Sequence, residues 1–227
     1  MLGVWVNCGA IILGSLIGLL FKNVVSKSIS EVIRIGIGFC TFVVATKMAL
    51  RFESFLFVVA CVTLGGIFGT LIHLEEKLEQ LGEKIRQWTG AKKESSFAYA
   101  FAMTSVLYCT GAMAILGPID AAISRNYEVL FAKSMLDGTI AITFAAIYGI
   151  GVAFSSISIL IYQGGIALLA TQLQFLKQPT VINNLSGVGG VLVLMIGFSV
   201  SGIYKVKVGD FFPAILIALI LSPFWHF

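Results

Sequence analysis

Lys133 and Asp137 lie four residues apart in the apolar run VLFAKSMLDGTIAITF, so on a helix they share one face and can neutralise one another. A charge at the centre of a bilayer costs about 2.5 to 3.5 kcal/mol, so each needs a partner or a wet cavity. Such a pair is either a structural ion pair or part of a site for a charged solute or a coupling ion. Other polar groups stand in similarly apolar surroundings: Asn7, Thr110 within Cys109-Thr110-Gly111-Ala112-Met113, Ser155 beside Ser156, and Gln163 within Tyr162-Gln163-Gly164-Gly165. Gly164-Gly165 is an expected unwinding point, which would free carbonyls and amides to face a ligand. Asp120 follows Gly117-Pro118, where proline breaks the end of a span and leaves backbone groups available. Lys47, late in its apolar run, can snorkel outward on its long stem. The candidate substrate-binding or ion-binding set is therefore Asp137, Lys133, Asp120, Gln163, Asn7, Thr110 and Ser155.

Catalytic signatures are missing. The sequence has no H-E-x-x-H, G-x-S-x-G or G-x-x-x-x-G-K-[ST], and its two histidines, His73 and His226, sit far apart at the ends of apolar runs. Asp120 and Asp137 would be the minimum for an intramembrane aspartyl hydrolase, but no second motif accompanies them. The G-x-G pairs have no strand before them, which argues against a dinucleotide fold. Cys8, Cys40, Cys61 and Cys109 have unrelated spacings inside apolar runs and read as small buried residues. No enzyme activity, cofactor, metal site or nucleic-acid partner is expected.

The elements that position these residues follow from composition. Of 227 residues, 58% are hydrophobic and 11% charged, with a mean hydropathy of +0.99, whereas soluble domains carry about 25% charged residues. The chain reads as an all-α polytopic membrane protein, a single transmembrane domain over 1–227. At about 20 residues per span, apolar runs fall near 2–21, 31–50, 54–72, 97–117, 129–154, 157–176, 185–203 and 208–225. The first lacks a basic leader region and a cleavage signal, so it is expected to be a retained span. The sixth is entered by so tight a connection, at Phe154 to Ser158, that it could be re-entrant, giving seven to eight spans. With eight spans and an external N-terminus, the cytoplasmic side collects Lys22, Lys27, Arg34, Lys77, Lys84, Arg86, Lys92, Lys93, Lys205 and Lys207, ten of the fifteen basic residues. Seven spans would split them nine against six, so the charge distribution favours eight, with both termini in the periplasm.

The long polar segment 73–96 places Leu74, Leu78, Leu81, Ile85 and Trp88 at helical spacing opposite a charged face. An amphipathic cytoplasmic helix is expected at about 73–90, lying on membrane lipid or packing against another copy of the chain. Two segments also share motifs in the same order. Asn7-Cys8-Gly9-Ala10-Ile11 aligns with Tyr162-Gln163-Gly164-Gly165-Ile166, and Gly36-Ile37-Gly38 aligns with Gly187-Val188-Gly189. Spans 1–3 would then correspond to spans 6–8 in the opposite orientation, an inverted repeat. Small-residue faces at Ala10, Gly14 and Gly18, and at Gly65 and Gly69, suit close helix packing.

Cys109 to Gly117, Lys133-Ser134-Met135-Leu136-Asp137-Gly138, Gly149 to Ser155, Tyr162-Gln163-Gly164, and Val208 to Phe212 before Pro213 together resemble the bacterial YdfK/YqgA-like membrane proteins, grouped under domain of unknown function 554. The resemblance covers essentially the whole chain and implies a multi-pass protein of the bacterial inner membrane. It implies no activity. Val4 stands where that family commonly has Thr, and Ser199 where it commonly has Asn, so a site lined by those positions would differ in selectivity. The residues point to a transporter or channel for a small solute or ion, working by alternating access of two inverted repeats, with its site between spans 1, 4, 5 and 6. The alternative is a non-transporting membrane scaffold or sensor that acts through oligomerisation and the helix at 73–90.

Overall fold

A computed structural model describes residues 1–22, 27–89, 97–111 and 113–225. Lys92, Lys93, Ala112 and His226, named above, lie outside the described residues. Within them the chain is helical, with no strand. The helices are α1 (Leu2–Lys22), α2 (Lys27–Ala49), α3 (Phe55–Leu71), α4 (Leu74–Thr89), α5 (Phe97–Cys109), α6 (Met113–Ile123), α7 (Glu128–Tyr148), α8 (Gly151–Leu168), α9 (Pro179–Ser201) and α10 (Pro213–Leu221).

Among the described residues, five helices are long and apolar enough to cross a membrane: α1, α2, α7, α8 and α9. The count rises to seven if α3 with α4, and α5 with α6, each form one broken span. The eighth expected span, 208–225, is instead a 3-10 turn at Val208–Phe211, the nine-residue α10 and another 3-10 turn at Ser222–Phe224. Pro213 opens α10 at its first position, where a missing N–H costs nothing, and Pro223 interrupts the run again. The sixth span also moves. Gly149 takes φ 87°, a conformation that suits glycine, so the turn falls at Gly149-Ile150 and α8 begins six residues earlier than 157. The Gly164-Gly165 pair does not unwind, because α8 runs through it to Leu168. The break comes instead between α5 and α6, where Gly111 adopts φ 95° and the two helices are bent by 60°.

The contacts divide the chain into two compact units. The first holds Met1–Ser30, Glu76–Cys109 and Met113–Leu173; the second holds Glu31–Glu75, Thr110–Ala112 and Gln174–Phe227. In the first unit, α1 lies along α7. A Cβ on Gly14 would come 2.2 Å from the Gly138 carbonyl oxygen, and one on Gly18 would come 2.0 Å from that of Ile142. Larger residues there would push the helices apart. Gly3 meets Leu130, Gly14 meets Ala141 and Gly18 meets Ala145. These pairs ascend together, so α1 and α7 run in the same direction. Against α8 the order reverses: Asn7 bonds Gln163, whereas Met1 approaches Gly164.

In the second unit, α3 packs antiparallel on the chain around α10, with Gly65 against Ala214 and Gly69 against Asp210. Likewise α2 runs antiparallel to α9: Gly38 meets Ser201, Phe42 stacks edge-on against Phe198, and Ala49 meets Gly190. Large apolar side chains face outward on both units, including Leu13, Leu16 and Leu20 on α1 and Phe55, Leu64 and Leu71 on α3. Lipid is the environment in which so much apolar surface is stable.

Candidate functional site

The stripe that holds α1 against α7 also carries Asn7, two helical turns before Gly14. It brings the amide onto Asp137 in the first unit. Lys133 and Asp137 point to the same side of α7, both buried, with the Lys133 Nζ 3.0 Å from Oδ1 and 2.8 Å from Oδ2. Asn7 Nδ2 donates to Asp137 Oδ2 at 3.1 Å and to Gln163 Oε1 at 3.2 Å. The result is a continuous line of polar groups, Lys133, Asp137, Asn7 and Gln163, crossing three helices. Cys8 reinforces the same contact by donating its thiol to the Ser156 carbonyl at 3.4 Å. Ser105 on α5 and Ser158 on α8 share a hydrogen bond of 2.8 Å.

The carboxylate fixes the direction of this line. Asp137 only accepts, so Asn7 must turn its NH2 toward it, and the second Asn7 hydrogen then requires the Gln163 oxygen. That leaves Asn7 Oδ1 and Gln163 Nε2 buried with no hydrogen-bond partner. The Tyr108 and Tyr162 hydroxyls are in the same condition, as is Ser15 Oγ. Tyr108 and Cys109 end α5, and Tyr162 precedes Gln163 on α8. Helices α1, α7 and α8 therefore meet at one polar cluster in an apolar unit. Buried polar atoms without partners are costly, and native proteins keep few of them.

Four of the seven residues singled out in the sequence meet here. The structure places the other three as follows. Asp120 is half-buried near the end of α6, where its carbonyl accepts from the amides of Ser124 at 2.9 Å and Asn126 at 3.4 Å. Thr110 is buried in the second unit beside the position a Gly189 Cβ would take. Ser155 is buried, but its hydroxyl donates to the Val152 carbonyl of its own helix at 2.6 Å. Lys47 is exposed on α2. Sequence reasoning overlooked Tyr108; a phenol within an apolar run, whose hydroxyl must find a partner, was the available signal.

The second unit contains polar contacts that the sequence did not suggest. Asp210 Oδ1 accepts the Glu75 amide at 2.8 Å, and the Glu75 carboxylate accepts the Gly209 amide at 2.6 Å. Asn184 Oδ1 accepts the amides of Glu53 and Ser54, at 3.0 and 3.2 Å, just ahead of α3. Ser54 caps that helix by accepting from the Phe57 amide. Ser199, at one of the positions where the family resemblance fails, accepts the Val206 amide at 2.9 Å. Among the described residues, no group of three His, Cys, Asp or Glu side chains is arranged to hold a metal ion.

Comparison with known proteins places the chain among bacterial membrane proteins. The family described as "Protein of unknown function (DUF554)" matches residues 2–223. An uncharacterized membrane protein of Bacillus subtilis (strain 168), YdfK, is 30% identical over 222 residues, covering 96% of this chain and 93% of that protein. An uncharacterized protein of Escherichia coli (strain K12), YqgA, is 28% identical over 233 residues, covering 99% and 97%. No solved structure matches the chain.

Proposed function

We propose, from the premise that this chain belongs to the DUF554 family, that it is a transporter or channel of the bacterial inner membrane for a small solute or ion, without enzymatic chemistry. The observation that carries this reading is the Lys133, Asp137, Asn7 and Gln163 line, with its unpartnered atoms, inside helices long enough to span a bilayer. None of these side chains is needed to form a helix. Ionisable and amide groups kept inside a membrane despite their cost mark solute or ion paths.

The mechanism we infer is alternating access by an inverted repeat of α1–α3 and α8–α10. Its support is the pairing of proposed counterparts: α1 with α8, α2 with α9, and α3 with the chain at α10, each antiparallel. Opposite orientation of the repeats requires that relation. A second reading, a scaffold or sensor that oligomerises, draws on α4, whose Leu81 and Trp88 are exposed beside a shallow groove.

The test is purified protein in liposomes, assayed for flux of ions, small anions and small uncharged solutes. Protein-dependent flux that disappears in a folded Lys133→Met/Asp137→Leu variant is expected. Full flux in that variant would remove the pair from the mechanism, and no flux of any probe through the wild type would favour the scaffold.

A further inference from the structure

We infer that the polar cluster of the first unit takes a small uncharged solute carrying both a hydrogen-bond donor and an acceptor, of the amide, urea or alcohol class, and not an ion. This deepens the transport reading and rests on it.

The argument is an account of charge and of free hydrogen-bonding atoms. Lys133 and Asp137 cancel one another, and both carboxylate oxygens already accept from the ammonium. A bound cation would need several oxygen ligands. The hydrogen-bonded line offers one free oxygen, that of Asn7, while the Asp137 carboxylate is engaged. A bound anion would need an uncompensated positive charge, and the ammonium at the site is spent on Asp137 at 2.8 Å.

What remains unpartnered along the line is uncharged and of both kinds: Asn7 Oδ1 accepts and Gln163 Nε2 donates. Asn7 and Gln163 are fully buried, so bulk water does not satisfy them. A molecule with one carbonyl or hydroxyl oxygen and one N–H or O–H completes this set without disturbing the ion pair. The ion pair acquires a role in this scheme. By holding Asp137 in place, it fixes the Asn7 amide with its oxygen free, and so sets which end of the solute the site receives.

Stopped-flow light scattering on proteoliposomes, with urea, acetamide and glycerol as probes, tests the inference beside potassium and chloride flux measured on the same vesicles. The expected result is protein-dependent permeability to at least one uncharged probe and none to the ions. Gln163→Leu should lower that permeability by about tenfold, the scale of one lost hydrogen bond. Gln163→Met serves as the second variant should Gln163→Leu fail to fold, as judged by thermal unfolding and gel filtration. Ion flux without uncharged-solute flux would overturn the inference while leaving transport in place. Uncharged-solute flux unchanged in both variants would overturn the assignment of the site. Absence of all flux would overturn the inference together with the transport reading.

Discussion

The two units put buried polar side chains to different uses. In the second, Asn184, Asp210 and Glu75 bond to main-chain amides at helix starts and turns, where helical geometry leaves donors over. In the first, Lys133, Asp137, Asn7 and Gln163 bond to one another part-way along helices whose main chains are already satisfied. All five buried side-chain atoms without a partner among the described residues belong to the first unit. Polarity in the second unit serves folding. Polarity in the first is retained at a cost to folding, and that is the ground on which the proposed site is assigned to the first unit.

The largest effect should come from breaking the ion pair. Asp137→Asn leaves a buried ammonium unpaired and is expected to cost about 3 to 5 kcal/mol, while Lys133→Met with Asp137→Leu should regain most of it, because packed apolar groups can replace a buried pair. Thermal unfolding in detergent measures both. A double variant as unstable as the single one would show that the pair is structural, and the contrast between the units would fail.

A middle-sized effect distinguishes the amides. Asn184→Leu strips the partner from two amides at the start of α3 and should cost about 2 kcal/mol. Gln163→Leu loses one neutral hydrogen bond but also removes an unpartnered NH2, so its stability change should stay within about 1 kcal/mol. Equal losses in chemical unfolding would contradict the division of labour. The smallest pair is Ser54→Ala, expected to cost about 1 kcal/mol as a lost cap, against Tyr162→Phe. With no partner to lose, Tyr162→Phe should shift stability by less than about 0.5 kcal/mol.

Much of the first unit's chemistry was legible because charge in an apolar run is conspicuous. The i, i+4 spacing of Lys133 and Asp137 fixed their pairing locally. Asn7 and Gln163 stood out for the same reason, but their bond joins positions 156 residues apart and depends on how α1 meets α8. The inventory of free atoms was invisible, since it follows from which way two amides turn. Glycine misled at Gly164-Gly165, where the residue permits unwinding but the intact helical hydrogen bonds of an apolar segment oppose it. It also permitted the real break at Gly111. The span at 208–225 failed because hydropathy counts apolar residues and ignores what proline does to the backbone at Pro213 and Pro223.

The contact of α1 with α7 also determines which parts can travel. With Gly14 and Gly18 seated on the carbonyls of Gly138 and Ile142, the two helices mesh like a rack. Sliding by less than a full turn, about 5.4 Å, would drive backbone into backbone. A disulfide between Ala10→Cys and Gly138→Cys, positions already touching, should therefore leave flux unchanged. A Cβ at Gly9 on α1 or at Gly165 on α8 would meet nothing within 4 Å, so neither glycine locks its helix as Gly14 and Gly18 do. In the alternating access proposed above, α1 and α7 are expected to stay together, and the contact expected to part is the neutral bond from Asn7 to Gln163.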